Sequence, residues 1–228
     1  MAISAALLEC LTVALDEAVA PCATWDFRRG QVVEHADIRA LEAHIRTGLL
    51  SGEPAQVKDA LANVVYFARA FEPSVQRHRV ALFRKNVQRE QIRRAIDVFA
   101  TVEGNGVQAI HGIGLDHFGH MSFVTRVRSF LDPAHWVALD RGLTRLRSTP
   151  QHTPLHDITW YPIANLVPVN ADNERCYVAW NHACCRLAAH ESFAGRDVRP
   201  VEIERAIFHL VRKRELQLAA RILAAAVA

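Results

Sequence analysis

The chain has 228 residues, a formal net charge of +3, half of its residues hydrophobic and 22% charged. That balance excludes an intrinsically disordered chain, and the length is ample for a core that folds without disulfides or a structural metal. Mild basicity excludes a strongly polyanion-seeking protein as a whole, so any electrostatic function must come from how the charge is distributed.

The apolar stretch Ala2 to Ala20 is broken by Glu9, Asp16 and Glu17 and has no basic start. It therefore reads as an amphipathic core helix, neither a signal peptide nor a membrane span, and a cytoplasmic location is expected. Ile38, Leu41, Ile45 and Leu49 form a helical stripe within His35 to Leu50. Ser51 to Glu53 breaks it, and Pro54 suits the first turn of a helix reaching about Phe71. Further helices are expected over Ser74 to Phe83 and Val87 to Val102, the latter capped by Asn86 and ended by Gly104-Asn105-Gly106. Between Arg77 and Arg94 stand Arg77, Arg79, Arg84, Lys85, Arg89, Arg93 and Arg94 against the single acid Glu90, which is either a solvated helix face or an anion-attracting field.

A short helical stretch, Val107 to His111, leads into Ile110-His111-Gly112-Ile113-Gly114 and then into a helix beginning near Met121. Trp136-Val137-Ala138-Leu139-Asp140 and the short helical Arg141 to Leu146 follow. Ser148 to Asn173, rich in Pro, Thr, Asn and His, reads as a long ordered loop with one extended piece, Asn165 to Val169. Asn173 to Ala189 and Pro200 to Ala226 close the chain as two helices. With no repeat, no flexible linker and no alternating run long enough for a sheet, the expectation is an all-α single domain, with a possible internal division near 104–106.

Glycine at both turn positions 112 and 114 permits tight backbone angles and leaves the main chain bare enough for its N–H groups, with those of a following helix, to approach a phosphate. The same spacing is also a common helix terminator. The segment Ile110 to Leu146 resembles the DNA-contacting region of helix-hairpin-helix DNA glycosylases. In that superfamily a hairpin of this form is followed at similar distance by an aspartate that opens a short helix, the position of Asp140. Met121 to Arg141, Tyr177 to Trp180 and Glu202 to Phe208 are similar to a group of bacterial proteins with no assigned reaction, distantly allied to those glycosylases.

The resemblance implies a multi-helix orthogonal bundle and a DNA-binding protein of DNA repair. Asp140 would be the catalytic carboxylate of a monofunctional N-glycosylase, and His111, Gly112, Ile113, Gly114, Arg126 and Arg141 would meet the nucleic acid. Trp136 would be a base-stacking residue. Asp140 is equally well suited to capping a helix. Leu115 to His120 departs from the pattern as an extra turn, and the positions aligned with a Schiff-base lysine hold Asp116 or Arg126. A guanidinium stays protonated, and Lys58, Lys85 and Lys213 all lie outside the segment, so lyase chemistry is not expected.

The rival reading is a non-catalytic helical protein-interaction module on the same scaffold. Cys10, Cys22, Cys176, Cys184 and Cys185 include no Cys-x-x-Cys pair; Cys176, Trp180, Cys184 and Leu187 share a helix face and read as core, so no metal is expected. Nor is a cofactor, there being no phosphate-binding loop or dinucleotide fingerprint.

Overall fold

Helices make most of the structure. In chain order the computed structural model has α1 (Ala5–Glu17), the strands β1 (Ala23–Asp26) and β2 (Gln31–Glu34), α2 (Ile38–Leu49), α3 (Pro54–Ala68), α4 (Pro73–Asn86), α5 (Arg89–Thr101), α6 (Val107–Gly112) and α7 (Met121–Leu131). A 3-10 helix (Arg141–Ser148), α8 (Ala171–Ala188), a short 3-10 turn (Glu191–Phe193), α9 (Pro200–Arg212) and α10 (Leu216–Val227) follow. The structure describes residues 3–227 except 19, 69, 71, 116, 117 and 164. Among them, no helix is long and apolar enough to cross a membrane.

The chain packs into two units, Ala20–Asp132 and Met1–Val19 with Pro133–Ala228. The boundaries fall at those junctions and not near 104–106, because the Gly104-Asn105-Gly106 turn is held inside the first unit, where the Nε of Arg128 donates to the Gly104 carbonyl at 3.1 Å.

In the Ala20–Asp132 unit, α3 is the central helix. Val57, Leu61, Ala62 and Val64 are fully buried, and α2, α4, α5, α7 and β1 pack around it. Asp37 starts α2 by accepting from the Ala40 amide at 2.8 Å. Asn86 is the last residue of α4 and not the cap of α5; that cap is Gln88, whose amide donates to Gln91 Oε1 at 2.7 Å. The chain reaches the next helix two residues later than expected because Val87 and Gln88 are extended.

The sequence also hides a β-hairpin. β1 and β2 pair antiparallel with Trp25 opposite Val32. Its strands are four residues long and lack a clear inside–outside alternation, so no period-2 signal exists to be read. A helix side chain holds the hairpin to the core: Asn63 of α3 accepts from the Trp25 amide at 2.8 Å and donates to the Trp25 carbonyl at 3.3 Å.

In the other unit, α1 lies against α9 and α10. Lys213 Nζ donates to Glu17 Oε2 at 2.6 Å and Arg196 pairs with Asp16, fastening the two ends of the unit. The hydrogen bond from Lys213 holds the Glu17 carboxyl below the usual carboxylate range, and Glu17 in turn pushes the Lys213 ammonium up.

The expected helix Pro200 to Ala226 is two helices. Arg214 takes a left-handed conformation (φ 68°), and the Glu215 amide returns to the Leu210 carbonyl at 2.9 Å while the Arg214 amide returns to that of Val211 at 3.2 Å. This is a Schellman cap built without glycine, which leaves no sequence signal. The described residues of 149–170 are irregular, with an isolated bridge between Tyr161 and Leu166; α8 begins at Ala171, inside the expected loop, and Asn165, the expected start of the extended piece, is left-handed at φ 52°.

Candidate functional site

The apolar–any–Gly–apolar–Gly pattern has a direct structural meaning. Ile110 and Ile113 are anchored in the core, at 2% and 0% exposure, while His111, Gly112 and Gly114 face solvent. A side chain added at Gly112 would meet nothing within 4 Å, and one at Gly114 only the guanidinium of Arg94, 3.8 Å away. The turn is bare.

Its amides, however, are turned inward. The Ile113 amide donates to Ile110 O at 3.3 Å and that of Gly114 to His111 O at 3.0 Å, with Gly114 at φ 74°. The two residues close α6 as a left-handed C-cap. Moreover, α7 begins at Met121, seven positions beyond Gly114, so its N-terminus does not continue directly from the glycines. The main-chain clasp on phosphate that the resemblance implies is therefore missing at positions 113 and 114, and Leu115 to His120 is the extra segment that separates turn from helix. Asp116 and His117 lie outside the described residues.

A basic side chain stands beside this turn. Gln91 of α5 donates through Nε2 to the Gly114 carbonyl, docking the turn against α5. That hydrogen bond sets Arg94 beside Gly114, with Arg89 and Arg93 also exposed on the same helix. Arg93 keeps a loose, solvent-exposed pairing with Glu90 at 3.7 Å, worth little.

The rest of the basic run is differently engaged. Arg77 lies over the Trp25 ring at 5.5 Å, Arg79 over Phe118 at 5.2 Å and Arg84 over Phe27 at 4.0 Å, while Arg84 also pairs with Asp59. Those three tie α4 to its surroundings by cation–π contact. The run that reads as one field in sequence thus divides into α4, where three arginines lie over rings although Arg77 and Lys85 remain exposed, and α5, where Arg89, Arg93 and Arg94 face solvent. Arg126 is 8% exposed, its guanidinium 5.7 Å from the Phe67 ring, so it is an interior residue of this unit and not a surface contact for a polymer.

The remaining residues singled out in sequence belong to the other unit. Asp140 is half-buried and accepts from the Gly142 amide at 2.8 Å, capping the 3-10 helix. Arg141 is half-buried, its carbonyl accepting from Thr144 Oγ1 at 2.8 Å, and Trp136 lies 6.1 Å from the Tyr177 ring, tilted by 30°.

The residues leading to Asp140 belong to no helix or strand. Instead α8 supplies the partners: Asn181 Oδ1 accepts from Val137 N at 3.0 Å, Asn181 Nδ2 donates to His135 O at 3.0 Å, Tyr177 donates to Val137 O at 3.0 Å and the Trp180 indole to Ala138 O at 3.0 Å. Sequence reasoning missed these partners because nothing in a helical stripe says which buried polar atoms reach a neighbouring backbone.

Burial pushes the thiols of Cys184, Cys176 and Cys185 up, keeping them protonated and unreactive at neutral pH. Among the described residues no group of three or more His, Cys, Asp or Glu side chains could hold a metal ion.

The two turn glycines make opposite predictions for stability. Gly112 is helical and open, so Gly112→Ala is expected to stabilise the unit by about 0.5–1 kcal/mol. Gly114→Ala must place a Cβ at positive φ and is expected to cost roughly 1–2 kcal/mol. Chemical denaturation of the two variants checks both signs.

No protein-family model, curated protein or solved structure matches the chain.

Proposed function

We propose that the Ala20–Asp132 unit binds nucleic acid through its phosphate backbone, on the surface where the bare 112–114 turn meets the exposed arginines of α5. The observation that carries this reading is the docking of the glycine turn on Gln91, which leaves Arg94 beside an uncovered stretch of main chain. Guanidinium groups hold phosphate oxygens in a fork, and a surface with no side chain standing between them lets a backbone approach closely. Arg89 and Arg93 extend the positive strip, and His111 is exposed in the turn itself. Such a surface reads charge and not sequence.

The narrower reading, a monofunctional N-glycosylase using Asp140, has less support. Asp140 performs the ordinary task of an aspartate ahead of a helix, and Arg126 is interior. The broader binding reading is the one we adopt.

Titrating labelled duplex DNA at several salt concentrations tests it. The wild-type chain is expected to bind with log K falling linearly against log salt. The double variant Arg93→Ala/Arg94→Ala is expected to lower that slope by about 1.8, or ~0.9 for each phosphate no longer neutralised. Absence of salt-sensitive binding, or an unchanged slope in the double variant, overturns the proposal. Gly112→Ala adds a second reading: a more stable chain that binds less well is expected if the uncovered backbone matters.

A further inference from the structure

The hairpin presents one edge to α3 and leaves the other open. Hydrogen-bond parity in an antiparallel pair fixes which residues face which way. The His35 amide donates to Cys22 O at 2.7 Å, so Cys22–His35 is a bonded pair, as are Thr24–Val33 and Asp26–Gln31 two and four residues on. Trp25 then turns its N–H and C=O away from β2, and these are the two groups that Asn63 satisfies. By the same parity Val32 and Glu34 turn theirs away from β1, on the outer edge, where both residues are exposed and the Val32 side chain is 42% exposed. Gln31-Val32-Val33-Glu34 has no Pro and only one charged residue, Glu34, and its burial pattern shows no segment of the described residues covering it.

We infer that this edge pairs with β2 of a second copy of the chain, antiparallel about a twofold axis through Val33, to make a four-stranded sheet. Of the registers that set outward groups against outward groups, one uses both such residues of β2 in each copy: Val32 of one chain opposite Glu34 of the second copy, and the reverse. No like charges then face each other. The same register carries the basic turn of one chain, Arg28 and Arg29, toward the acidic exit of the other, Glu34 and Asp37; all four residues are exposed. A parallel arrangement, or a strand of uniform charge, would not match this opposed polarity. Two donor–acceptor pairs per copy form a small interface, so the dimer is weak and grows with concentration.

The test is sedimentation of the full chain across a concentration series, with hydrogen exchange at low and high concentration. Dimer formation with concentration-dependent protection confined to residues 31–35 is expected. Val32→Pro removes an N–H that faces away from β1 and leaves the hairpin ladder intact, so it is expected to weaken the dimer about tenfold or more while the hairpin amides stay protected. Val32→Glu, which leaves the backbone untouched and sets like charges opposite each other at both 32–34 positions, is expected to weaken it as well, and serves if the proline variant fails to fold. A chain monomeric up to about 1 mM overturns the inference. So does a dimer indifferent to Val32→Glu, or a monomer whose edge captures an added extended peptide.

Discussion

Trp180→Ala is expected to cost the chain about 3–5 kcal/mol, measured by urea or guanidinium denaturation. Trp180 is fully buried, and its removal opens a cavity at the middle of α8. The same substitution removes the indole N–H that satisfies Ala138 O. Val137, Ala138 and Leu139 are at 0–1% exposure, so water cannot easily replace that donor. Trp180→Phe separates the two effects. It keeps most of the volume and drops the hydrogen bond, and is expected to cost roughly 1–3 kcal/mol, mostly the orphaned carbonyl. Because the segment these side chains hold ends in Asp140, hydrogen exchange at 135–141 should rise in both variants, and rise most in Trp180→Ala. A destabilisation below about 1.5 kcal/mol for Trp180→Ala would mean that the site collapses and that α8 is not the partner holding 135–139.

The helices were legible because their apolar faces recur at helical spacing and because Pro54 and Pro200 sit at first turns. Ile38, Leu41, Ile45 and Leu49 could be assigned to one face without knowing what covers it, and Leu41, Ile45 and Leu49 are buried as that face requires. What escaped were features set by single polar atoms or by tertiary context. Arg214 breaks a run of good helix formers by adopting a conformation that glycine or asparagine would have announced. β1 and β2 are too short for their pattern to rise above chance, and their stability comes from Asn63, nearly 40 positions away.

The candidate surface was half legible. Gly112 and Gly114 stood out, and so did the density of arginine from 77 to 94, but as separate signals. Only Gln91, a polar residue with no motif of its own, joins them. Conversely, Arg126 looked like a contact because sequence spacing says nothing of which face of α7 is interior, and that helix is buried through nearly all of its length.

Asn63→Leu is expected to release the hairpin while leaving the helices folded. Asn63 is 5% exposed and meets both outward groups of Trp25, so leucine at this position confronts an amide and a carbonyl with hydrocarbon. The penalty is about 1–3 kcal/mol for each group left without a partner. A two-stranded hairpin is marginal by itself. The Tyr66 ring 6.3 Å from Trp25, and Arg77 above it, offer apolar and cation–π contact but no replacement hydrogen bond. Exchange at residues 22–35 should therefore accelerate by a hundredfold or so while α3 stays protected, a ratio that corresponds to about 2.7 kcal/mol of local opening. Hairpin amides that exchange as slowly as in the wild type would show that the aromatic contacts suffice. The variant also separates frame from edge. Asn63→Leu should weaken self-association by loosening a hairpin whose outer surface is untouched, whereas Val32→Pro should weaken it with the hairpin still in place, because one acts on the inner edge of the ribbon and the other on the outer.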